Sequence, residues 1–158
     1  MASDNQQALI EATLTRTAEQ VGDITPLVIQ QLYHRFPEME ASFKHHGLGK
    51  QQQLEGDMVQ NALYCLMDWY ADPGSIEVML AHSVPHHHYT LKVPPHWYAG
   101  LLEVTAAVVG ESIPPEAGAE QAAWEALTSQ LLQVLEESSQ HTDAPYSAAQ
   151  IQPAQSLH

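Results

Sequence analysis

The constraint that bears hardest on this 158-residue chain is the spacing of its apolar residues, which recur at steps of three and four from one segment to the next. That period belongs to one face of an α-helix, and no stretch carries a strand pattern. Leu9, Ile10, Leu14, Ala18 and Val21 mark a first helix, opened by a capping-box pair, Ser3 and Gln6, and closed at Gly22, which suits a left-handed cap. Thr25-Pro26 starts a second helix, with Val28, Ile29, Leu32, Tyr33 and Phe36 as a wide buried stripe. Pro37 interrupts it, and Met39 and Phe43 predict one further short turn of helix before a polar loop over residues 44–50.

Beyond that loop, Leu54, Met58, Ala62, Cys65, Leu66 and Trp69 predict a long amphipathic helix over residues 51–70, which Asp72-Pro73-Gly74 ends. Ile76, Met79, Leu80 and Val84 predict a short helix that stops before Pro85. A helix starting near Pro94-Pro95 carries Leu101, Leu102, Val104, Thr105, Val108 and Val109 and finishes at Gly110; Pro114-Pro115-Glu116 opens the last, with Trp124, Leu127, Leu131, Leu132 and Leu135 on one face. Glu136 and Glu137 oppose the helix dipole there and favour fraying. Residues 140–158 are Gln, Ser, Ala and Pro without an apolar period, so they are expected to form a disordered tail. The expectation is six or seven helices, an all-α fold occupying one domain over residues 1–139, with no internal repeat.

Composition removes several function classes. With 19 acidic against 5 basic residues the formal net charge is -14, which repels nucleic-acid phosphates and anionic lipid. No window approaches the roughly 20 apolar residues of a membrane span, and the N-terminus has no basic stretch followed by an apolar one, so the expected setting is the cytoplasm. Cys65 is alone, which excludes an internal disulfide, and its place in an apolar helical pattern makes it a small core residue. There is no nucleophile motif, no glycine-rich phosphate loop and no spaced carboxylate pair.

What remains is histidine. His86, His87 and His88 stand between Pro85 and the Pro94-Pro95 pair, with Tyr89, His96, Trp97 and Tyr98 close by. Neutral imidazole is the commonest metal-binding side chain. Neighbours on a helix diverge by about 100°, so at most one or two of the three can share a buried site. A solvated His cluster and a metal site are both open at this point, and so is a site for zinc, copper or nickel built from His82, His86, His88 and His96.

The segment from Leu32-Tyr33-His34-Arg35-Phe36-Pro37 to Phe43 resembles the second-helix and corner region of a globin, where proline follows an apolar helix and phenylalanine comes six residues later. The histidine corner resembles the proximal region of the bacterial single-domain branch of that family. There, a His is followed by three residues, a small residue or glycine, a Val and an aromatic about five residues on. That pattern selects His88, five before Val93, with Tyr98 five after it, and sets aside His86 and His87. Trp124 matches an Ala-Trp landmark of the same branch, and the helix order runs in parallel over roughly residues 5–137.

The resemblance implies a globin-like bundle holding haem b, with His88 as the iron ligand, Phe43 packed on the macrocycle and the helix over residues 51–70 covering the other face. It puts Ile29 where relatives carry a distal tyrosine, Leu54 at the distal Gln or His position, and Met58 inward; a shift of one residue would put Gln53 there instead. Tyr98 matches a tyrosine that in some relatives joins the proximal His to a Glu, for which Glu136 is the nearest candidate. His45, His46 and Lys92 could reach the propionates from the loops or form a solvated face. The implied function is reversible binding of oxygen, NO or CO at a pentacoordinate iron in a mainly apolar pocket, as a monomer or weak homodimer. Enzyme activity is not expected, since NO dioxygenation or peroxidase-like chemistry would need an external reductase. The alternatives are a haem-free sensor or interaction module and the His-cluster site for another metal.

Overall fold

The three- and four-residue spacing resolves into seven helices in a computed structural model that describes residues 2–89 and 93–143, the side chains of residues 2–4, 88–89 and 140–143 excepted. They are α1 (Ala2–Gln20), α2 (Thr25–Arg35), α3 (Glu38–Gly47), α4 (Gln51–Asp68), α5 (Pro73–Tyr89), α6 (Pro95–Gly110) and α7 (Gly118–Asp143). No strand occurs among the described residues, so the chain is an all-α bundle. None of the described helices is long and apolar enough to cross a membrane.

The centre of the bundle is α6, whose Leu101, Leu102, Val104, Ala106, Val108 and Val109 are all buried. Only a narrow stripe of this helix, with His96 and Ala107 exposed and Glu103 partly so, faces solvent, and α1, α2, α4, α5 and α7 all pack on it. The crossing with α2 is tight. A methyl group on Gly100 would overlap the Phe36 ring, so the absence of a side chain lets the two helices meet there. Arg35 lies 5.2 Å from the Phe36 ring centre and pairs with Glu103 of α6 at 2.8 Å.

Helix boundaries depart from the expected ones in four places. The turn expected after Pro37 is the ten-residue α3, and Lys44, His45 and His46 belong to its last turns rather than to a loop. Its end is marked by left-handed φ values at Leu48 (50°) and Gly49 (87°). The helix expected to stop before Pro85 continues through it to Tyr89. A proline inside a helix costs about 3 kcal/mol in lost hydrogen bonding and steric clash. Ile76, Leu80 and Val84 on the same helix are 0–1% exposed, and burying each such side chain returns about 1.5–3 kcal/mol. These contacts seat α5 on α6 and α7 up to Pro85, and the Val93 N–H donating to the His87 carbonyl holds the turn beyond it. The last helix opens at Gly118 rather than at Pro114-Pro115, and it runs to Asp143, past residue 139; residues 144–158 of the expected tail lie outside the described ones. The first starts at Ala2, ahead of the Ser3 expected to cap it. Gly22 does close α1 with a left-handed φ of 77°.

One polar cluster is buried in this apolar frame. Arg16 of α1 makes a two-pronged ion pair with Glu120 of α7, at 2.5 and 3.0 Å, and the Thr13 hydroxyl donates to the same carboxylate at 2.7 Å. Next to it, the Thr17 and Ser112 hydroxyls lie 2.9 Å apart, and Thr17 also donates to the Val109 carbonyl. The Arg16 hydrogen bonds, helped by Thr13, hold the Glu120 carboxyl below its ordinary value.

Two predictions follow from the packing. Gly100→Ala should force Phe36 aside and lower stability by about 1–3 kcal/mol, read as a fall in the urea midpoint without a change in slope. Glu120→Gln should cost about 1–3 kcal/mol at neutral pH. Because the folded carboxyl is held down, its contribution is complete above the unfolded value of about 4.3 and lost as pH falls through the folded one. Thermal midpoints of parent and variant should therefore converge in acid.

Candidate functional site

The side chains expected to form a site come together, in part, in a pocket between α3, α4, α5 and α6. Its walls are Met39, Ser42, Phe43 and His46 from α3, Leu54 and Met58 from α4, His87 from α5, and Val93, Trp97, Tyr98 and Leu101 from the start of α6. It encloses about 70 Å³. Larger depressions of about 620 Å³ between α6 and α7 and about 520 Å³ beside α1 and α4 are open to solvent and lined by neither histidine nor cysteine.

Of the residues expected from the sequence, Phe43, Leu54, Met58 and Tyr98 line the pocket. Phe43 is anchored by the edge of Tyr33, with ring centres 5.8 Å apart. The Tyr33 hydroxyl donates to Glu55 at 2.7 Å, and burial together with that carboxylate pushes the phenol pKa up. Ile29 belongs to the core elsewhere and does not line the pocket. Gln53 is exposed, as is Asp57, so α4 faces the pocket in the Leu54 register. The side chains of His88 and Lys92 lie outside the described ones.

His87, which the family pattern set aside, lines the pocket from α5. Because α5 stays helical through Pro85, the Ser83 carbonyl, four residues earlier, meets the His87 Nδ1 at 2.7 Å. A carbonyl can only accept, so Nδ1 carries the proton and donates; in the neutral ring the lone pair is then on Nε2. The ring is fixed further by Tyr98, edge-on with centres 5.3 Å apart. The Tyr98 hydroxyl lies 2.9 Å from the Ser83 hydroxyl, which is 3.4 Å from His87 Nδ1. Burial raises the Tyr98 pKa, so the phenol is a neutral hydrogen-bonding group. Past the helix, the Val93 N–H donates to the His87 carbonyl at 2.8 Å and ties the start of α6 to this turn.

This serine-and-carbonyl support is the kind of outer contact that orients a metal-binding imidazole. The other walls of the pocket are mostly apolar. Glu136 does not reach Tyr98: it is exposed and lines a separate groove with His96 and Ser139. His82, His86 and His96 are exposed, and no three His, Cys, Asp or Glu among the described residues converge on a point, so no zinc-like cluster of that type is assembled there. Cys65 is buried and its thiol is pushed up to about 11 by burial, in keeping with a core role.

His46, Trp97 and Ser83 are the site residues that the apolar period does not reveal. The signal that does is a serine four residues before a histidine, Ser42 to His46 and Ser83 to His87. No protein-family model, curated protein or solved structure matches the chain.

Tyr98→Phe removes the hydroxyl from Ser83 and leaves the ring against His87. The expected cost is about 0.5–1.5 kcal/mol, measured by urea denaturation.

Proposed function

We propose that the pocket between α3, α4, α5 and α6 takes haem b through an imidazole of α5, and that the bound iron reversibly binds a diatomic gas. The observation that carries this reading is the His87 ring, lined up in an apolar pocket with Nδ1 donating to the Ser83 carbonyl and the Nε2 lone pair free. His87 is the ligand in this reading, in place of the His88 selected by the family pattern. Phe43, Leu54 and Met58 provide apolar contact for the macrocycle, and Tyr98 holds Ser83 and, through it, His87. The globin-like character of the bundle and a cytoplasmic setting are parts of the same proposal. Turnover chemistry such as NO dioxygenation would draw electrons from a separate reductase.

The donor chemistry fits haem; the enclosed volume does not yet. Ligand pockets of this kind hold about 300–1,000 Å³, against about 70 Å³ here. Haem entry therefore has to part the walls, and the half-buried Leu54, Met58, Trp97 and His46 are the side chains with room to move. The same small volume favours one other reading, a haem-free module whose slot is filled by its own side chains.

The test is a visible spectrum of the full chain purified with haem supplied. The parent should show a Soret band that shifts with CO, and thermal stability should rise on haem binding. His87→Ala should lose or shift the band and His88→Ala should keep it. A colourless parent sinks the haem reading in favour of the filled slot; loss of the band in His88→Ala alone returns the ligand to His88.

A further inference from the structure

Away from the pocket, the groove of about 520 Å³ between α1 and α4 is lined by apolar side chains that the bundle leaves in contact with water. At its floor lie Ile24 and Val109, both buried, with the half-buried Leu14 and Leu63 beside them. Tyr64 and Met67 line it from α4 and are 39% and 45% exposed; Val21, next to the lining Gly22, is 46% exposed. Large side chains of this kind belong in a core, and where they gather on a surface they mark an interaction site.

Carboxylates stand at both ends of the groove. Gln7 donates through Nε2 to the Glu11 carboxylate at 3.1 Å and to the Met67 carbonyl at 3.2 Å, which sets Glu11 beside the Met67 end. At the opposite end of α1, about four turns on, Asp23 lines the groove and accepts the Thr25 N–H at 3.0 Å. Asp57, exposed, lies on α4 one turn before the lining Gln60 and Asn61. Among the described residues no Lys, Arg or His lines the groove.

We propose that this groove docks a basic amphipathic helix of a partner protein, with its apolar stripe against Tyr64, Met67 and Val21 and its Lys or Arg side chains toward Glu11, Asp23 and Asp57. From Glu11 to Gly22 the face is about 17 Å long, enough for about eleven residues of docked helix. A second copy of this chain does not suit the surface. A two-fold contact presents the same patch twice and sets these carboxylates against their own copies, in chains that each carry a formal charge of -14. A small molecule is poorly held, because such sites enclose most of their ligand and this groove is open to solvent. The inference stands apart from the haem reading and uses none of its residues.

The experiment uses the full chain and two labelled synthetic peptides of about fourteen residues, each with Leu at i, i+3, i+4 and i+7 and with either Lys or Glu at the flanking positions. Fluorescence anisotropy should give a dissociation constant on the order of 10 μM for the Lys peptide at low salt, about tenfold weaker at high salt, and no binding of the Glu peptide. Ala18→Trp, which fills the groove without changing charge, and Tyr64→Ala should each weaken binding by at least about tenfold. Both positions are exposed, so circular dichroism should show the fold intact. Glu11→Lys should weaken binding by about tenfold, and Glu125→Lys, in the groove between α6 and α7, by less than about twofold. A Lys peptide that does not bind, or that binds Ala18→Trp as it binds the parent, overturns the proposal. So does equal weakening by Glu125→Lys and Glu11→Lys, which assigns the affinity to net charge alone. A parent dimer in sedimentation that Ala18→Trp abolishes assigns the groove to a second copy and overturns it as well.

Discussion

Burial of one face of α5 is the interaction on which the rest of the site depends. Ile76, Leu80 and Val84 are sealed by the bundle and seat α5 on α6 and α7, and the helix runs on from them through Pro85 to His87. Had the helix stopped at Val84, the Ser83 carbonyl would have no fixed relation to His87, and the imidazole would have no defined tautomer. A core contact three residues away thus bears on how the His87 ring is hydrogen-bonded. The same dependence links α2 to the pocket, since the close approach at Gly100 sets α6, and α6 carries Trp97, Tyr98 and Leu101 into the walls.

The architecture was legible in the sequence to the extent that apolar spacing controls it. Seven stripes became seven helices, and α2, α4 and α6 begin and end close to their Pro, Gly and Asp signals. Boundaries failed where a local breaker met a stronger tertiary force. Pro85 reads as a stop because proline removes a donor, and only the three-dimensional packing reveals that the helix can bear it. Lys44, His45 and His46 read as loop because they are polar and precede two glycines, yet they complete the last turns of α3.

The candidate site was legible by half. Phe43, Leu54, Met58 and Tyr98 share the pocket because apolar and aromatic residues at helical spacing face the same interior. Ile29 is buried but outside this pocket, since a buried position on α2 can face any part of the core. The choice among the histidines turned on a register counted across Val93 and Tyr98, and a count along the chain does not say which imidazole faces a pocket. The serine-to-histidine spacing is visible in the sequence, but it acquires meaning only once both segments are known to be helical.

The left-handed turn at Leu48 and Gly49 has a mechanical consequence. It folds α3 directly back along α4, so Met39, Phe43, His46, Leu54 and Met58 belong to one hairpin, while His87, Val93, Trp97 and Tyr98 belong to the unit formed by α5 and the start of α6. The pocket is consequently a clamp with two jaws. A change at that turn therefore reaches the pocket through Met39, Ser42, Phe43 and His46 of α3, leaving the wall that α5 and α6 supply in place.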